Sequence, residues 1–73
     1  MNRFLFDKII EYMYFKKAKI KFKESHCIDM PLLSIEIYDY EGNFIEEFKV
    51  SEVDVKTMKA VIKFENLEDA VIK

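Results

Sequence analysis

His26 and Cys27, the single histidine and the single cysteine of the chain, stand side by side, with Asp29 two positions further on. A thiol next to an imidazole is the pairing used in nucleophilic catalysis, and all three side chains are metal-ligand types. The spacing suits neither chemistry. Neighbouring residues of an extended segment point apart, whereas a nucleophile and its base must converge. A metal centre needs three or four ligands, and no second cluster completes the set. The single glycine, Gly42, excludes the glycine-rich loops that cradle phosphates. We therefore expect no catalytic residue, no metal ligand and no cofactor, and read the chain as a non-enzyme.

Binding chemistry is better represented. Residues 16–23, "KKAKIKFK", follow Tyr12, Tyr14 and Phe15. Lys16, Lys17, Lys19, Lys21 and Lys23 could meet nucleic-acid phosphates while rings stack on bases. Against this, strand alternation turns Phe22 away from the lysines, and the chain has one arginine and a net charge of −2. The plainer reading sets Lys19, Lys21 and Lys23 beside Glu36 on the outer face of a sheet. The stretch "IEIYDYEGNFIEEFKV", residues 35–50, offers another surface. Tyr38, Asp39, Tyr40, Glu41, Ile45, Glu46 and Glu47 gather tyrosines and acids around a tight turn, and tyrosine supplies contact area at little entropic cost. Its plainer reading is an ordinary solvated sheet face of β-forming residues.

The elements that must hold these residues follow from pattern. Residues 3–16 read as a helix, with Phe6, Ile9, Ile10 and Met13 along one face, Leu5 flanking it and Asn2 as N-cap. Phe4 and Phe15 are left on roughly the opposite side, as contacts for a second copy or for another element. Residues 17–23 alternate as a half-buried strand with Ala18, Ile20 and Phe22 inward. Residues 24–31 read as a loop. A two-residue turn at Gly42-Asn43 sets Ile35 opposite Val50, Ile37 opposite Phe48 and Glu36 opposite Lys49, with Asp39 facing Glu46 beyond the helix in water. Ser51 and Asp54 resemble a capping box and favour a short helix over 52–59, with a strand as rival. Residues 60–65 read as a strand with Ala60, Ile62 and Phe64 inward. Val71 and Ile72 pack back.

These elements make one α+β domain over residues 1–73, an N-terminal helix on one face of an antiparallel sheet of three to four strands. A chain of this length buries only about 60% of its unfolded surface, so a homo-oligomer is a natural way to bury more. One cysteine precludes an intrachain disulfide, Arg3, Asp7 and Lys8 break the N-terminal apolar run, and no stretch suits a membrane span, which points to the cytoplasm. Charge is uneven: residues 1–24 hold seven basic and three acidic groups, residues 25–54 one and eight. Such blocks suit two partner surfaces or mutual neutralisation. The order strand, tight turn, strand, Ser-led helix, strand over residues 33–65 resembles that of several tiny phage-encoded inhibitors of host enzymes. The likeness is one of topology and transfers no residue. The resulting expectation is a protein-binding regulator or inhibitor encoded by a virus or mobile element, with nucleic-acid binding as the alternative.

Overall fold

A computed structural model describes residues 3–27 and 30–73. Asn2 and Asp29 lie outside the described residues, as do the side chains of His26 and Cys27. The chain runs α1 (Arg3–Phe15), β1 (Lys19–Cys27), β2 (Met30–Tyr38), β3 (Phe44–Val50), α2 (Glu52–Phe64), a 3-10 turn (Glu68–Ala70) and β4 (Val71–Ile72). The sheet order is β3-β2-β1-β4. The fold is α+β with two helices; β4 joins β1 in parallel, so the sheet is mixed.

The core explains the layering. Leu5, Phe6, Ile9 and Met13 of α1, Met58 and Ile62 of α2, and Ile20, Ile35 and Ile37 of the sheet are all buried in one cluster. Ile20 opposes Ile37 and Phe22 opposes Ile35, and directly opposed residues share a face. Both helices therefore cover the same face. Lys19, Lys21 and Lys23 are exposed on the other.

Three expectations are corrected. Residues 24–27 and 30–31 are strand and not loop: β1 and β2 stay paired out to Cys27 opposite Met30. Pro31 falls where β3 no longer reaches, and a residue without an N–H is tolerated at such an edge. Residues 60–65 are not a strand, because α2 continues to Phe64. Val55, Met58 and Ile62 supply a helical stripe that outweighs the short alternation Ala60-Ile62-Phe64, and Ala60 and Phe64 face solvent. The topological likeness to phage inhibitors rested on that strand and falls with it. The helix ends where Asn66 turns left-handed at φ 58°, with the Leu67 N–H on the Ile62 carbonyl at 2.8 Å and the Asn66 N–H on that of Lys63 at 3.2 Å. This is the Schellman arrangement with Asn in the usual glycine place.

The third correction is register. Ile35 opposes Phe48, Ile37 opposes Glu46 and Leu33 opposes Val50, two residues away from the expected pairing. Glu36 consequently faces Glu47, and Lys49 faces Ser34. The connection is not a Gly42-Asn43 turn. The Gly42 N–H donates to the Asp39 carbonyl at 3.0 Å and the Asp39 N–H to that of Asn43 at 2.8 Å, which leaves Tyr40, Glu41 and Gly42 as the loop. Gly42 takes φ +91°, as three-residue hairpin loops require of their last residue. The ladder then slips once between Ile37 and Tyr38, so that Tyr38 opposes Phe44.

Candidate functional site

Asp39 builds the hairpin tip. Its Oδ1 accepts from the backbone N–H of Glu41 at 2.9 Å and of Asn43 at 2.8 Å, and its Oδ2 from the Asn43 side chain at 3.2 Å. The Asn43 backbone donor above all holds the carboxyl below its usual range, with the Asn43 side chain and the Glu41 and Gly42 amides adding to it against the opposing effect of partial burial. Sequence reading placed Asp39 opposite Glu46 as a like-charged pair; instead it serves as the internal brace of the loop.

Around this brace stand exposed apolar side chains. Tyr40 is 68% exposed, Phe44 56% and Ile45 41%. Tyr38 is half-buried, meets Phe44 edge-on with centroids 5.8 Å apart, and donates to Glu36 at 3.1 Å. Desolvation first and then the Glu36 hydrogen bond raise its pKa. Tyr38, Asp39, Tyr40, Glu41 and Ile45 thus all lie around the β2–β3 connection. Phe44 belongs with them and was missed, although an aromatic directly after a Gly-Asn pair was a readable signal.

Glu46 and Glu47 part company. Glu46 does not reach into water: it lies half-buried on the helix side, accepting from the Tyr12 hydroxyl at 2.8 Å and from Lys8 at 3.3 Å. The Tyr12 hydrogen bond chiefly, then Lys8, lower its pKa against burial, and the same bond raises that of Tyr12. These partners make a carboxylate tolerable opposite Ile37. Glu47 sits on the open face, where Ser34 donates to it at 3.2 Å.

The basic candidates are divided too. Lys19, Lys21 and Lys23 form a row on the open face beside β2, and Lys23 lies 3.9 Å from Glu36. Lys16 lies over the Tyr12 ring and Lys17 occupies the left-handed turn at φ 51°. Phe22, between Lys21 and Lys23, packs against the core, and Tyr38 lies opposite Lys19 at the end of the row. Phe4 and Phe15 stay 76% and 83% exposed on α1, uncovered by the C-terminal segment.

A groove of about 400 Å³ between α2 and β4 has an apolar floor of Phe22, Ile62, Val71 and Ile72 and the charged residues Lys59, Glu68 and Lys73 in its lining. Among the described residues, no three His, Cys, Asp or Glu side chains converge as metal ligands would, and no helix is long and apolar enough to cross a membrane. No family model matches the chain, and no curated protein or solved structure is significantly similar to it.

Proposed function

We propose that this chain is a non-enzymatic protein-binding module, a small regulator or inhibitor that meets a cellular protein through its hairpin tip. The observation that carries this reading is the cluster of Tyr40, Phe44 and Ile45, exposed around a loop already braced by Asp39. Apolar rings on a preformed loop lose little conformational freedom on docking, so more of their burial reaches the binding free energy. The acids Asp39 and Glu41 make a polar rim that favours a partner with basic groups around an apolar pocket.

The test uses the immobilised chain and its Tyr40→Ala and Phe44→Ala variants. Proteins retained from cell lysate by the parent are identified by mass spectrometry, and their affinities are then measured with purified components. Tyr40→Ala is expected to leave folding stability within about 0.5 kcal/mol, as for other surface changes, and to weaken the complex by about 2 kcal/mol if it anchors the interface. Retention that is indifferent to both substitutions, with the fold intact, rejects the tip as the binding surface. A titration of labelled DNA and RNA at low salt addresses the alternative: micromolar affinity that falls steeply with salt would transfer the assignment to Lys19, Lys21 and Lys23.

A further inference from the structure

One side of the molecule carries two features the hairpin tip does not use. Phe4 and Phe15 are exposed on α1. Eleven residues is about three helical turns, so the two rings share a face, with Lys8 and Glu11 between them on the same stripe. Lys8 reaches Glu46 at 3.3 Å and sits 5.4 Å from the Phe48 ring centroid, so this stripe borders β3. β3 is the terminal strand of the sheet, and its outer backbone edge has no neighbour among the described residues.

Both features are complementary to their own copies. An antiparallel copy about a twofold axis midway along the stripe sets Phe4 against the copy's Phe15, and Lys8 against its Glu11. On β3, the same operation centred on Phe48 sets Phe48 against Phe48, and Glu47 against Lys49 twice. Glu47 and Lys49 lie on the same open face, because they oppose Glu36 and Ser34. Centring on Glu47 instead would oppose that carboxylate to its copy, a destabilising like-charge pair. Glu11 and Lys49 have no ion-pair partner among the described residues. The Lys8–Phe48 contact sets the middle of α1 beside the middle of β3, so the two self-complementary surfaces adjoin.

We propose that two copies of this chain associate through β3 and the Phe4–Phe15 stripe of α1, giving a continuous eight-stranded sheet. Each copy contributes its four strands. Such an isologous contact closes an edge that would otherwise template open-ended pairing. The Tyr40–Gly42 loops project past the paired strands at the two ends of the contact, and Phe44 and Ile45 lie at the margin of β3, so the partner surface adjoins the dimer contact without occupying its centre.

Light scattering of the full chain across micromolar concentrations tests it, with far-UV circular dichroism to confirm folding. The expected mass is twice 8.8 kDa. Phe15→Glu and Glu47→Lys should each weaken dimerisation by about tenfold or more. Adding Lys49→Glu to Glu47→Lys restores opposite charges across the axis and should recover the dimer. A monomer at the highest soluble concentration overturns the proposal, as does a dimer equally tight in both single variants. A double variant no tighter than folded Glu47→Lys overturns the β3 register.

Discussion

Two carboxylates decide the local geometry, and both titrate below their usual range. Asp39 is held down by amides of its own loop, Glu46 by Tyr12 and Lys8. A group whose folded pKa is lowered contributes stability that is complete above its unfolded pKa and lost as pH falls through the folded one. The ordinary values here are 3.8 for Asp39 and 4.5 for Glu46, so the loss begins near those values on acidification and runs below them. Urea unfolding at about pH 7 and about pH 3 should show a smaller acid loss for Asp39→Asn and for Glu46→Gln than for the parent. An acid loss unchanged in both variants would mean these bonds do not persist in solution. The sequence made both acids conspicuous but paired them with each other. Their real partners, Tyr12 and Lys8 for Glu46, lie more than thirty residues away in the chain.

At the scale of elements, the α2 cap was legible because its signal is local, whereas the glycine marked the hairpin turn but not its length. Ser51 and Asp54 close a complete capping box, Ser51 Oγ accepting from the Asp54 N–H at 3.1 Å and Asp54 accepting from the Ser51 N–H at 3.0 Å. Ser51→Ala should cost about 1 kcal/mol in chemical denaturation, the usual worth of an N-cap; no measurable change would mean the helix start is held by packing alone. Gly42 makes a sharper case. A Cβ there would meet nothing within 4 Å, yet φ is +91°. Gly42→Ala therefore tests backbone strain without steric clash, and a loss of about 1 kcal/mol is expected from the left-handed penalty. A neutral result would show that the loop readily adopts another form. The register was not legible. A slip of two residues leaves every side chain on its original face, so alternation alone cannot distinguish the pairings.

For the molecule as a whole, ten apolar side chains among the described residues form the buried core. Ile37 is fully buried among both helices and the sheet. Ile37→Ala should cost about 2–5 kcal/mol, a large share of the stability of a domain this small. Thermal melts should show a strongly depressed or absent transition, whereas Tyr40→Ala melts like the parent. A mild effect at Ile37 would mean the core repacks around the cavity.

What the sequence determined by itself is the set of apolar faces: Phe6, Ile9 and Met13 on α1, Ala18 just before β1 and Ile20 on it, and Ile35 and Ile37 on β2 are inward as the periodicities require. Those periodicities belong to the backbone and need no partner to be read. Tertiary structure decided the rest. The length of α2 depended on whether residues 60–64 had a sheet neighbour or a helical face to bury, and the α2 residues Met58 and Ile62 pack into the core. The hairpin register depended on α1 offering a phenol and an ammonium to Glu46, which offsets the burial of a carboxylate opposite Ile37. The exposure of Phe4 and Phe15 likewise became visible only once α2 lay on the other flank of α1, joined to it by the Tyr14–Glu65 hydrogen bond. Each of these outcomes is a choice between local alternatives of similar energy, and contacts from distant segments tip it.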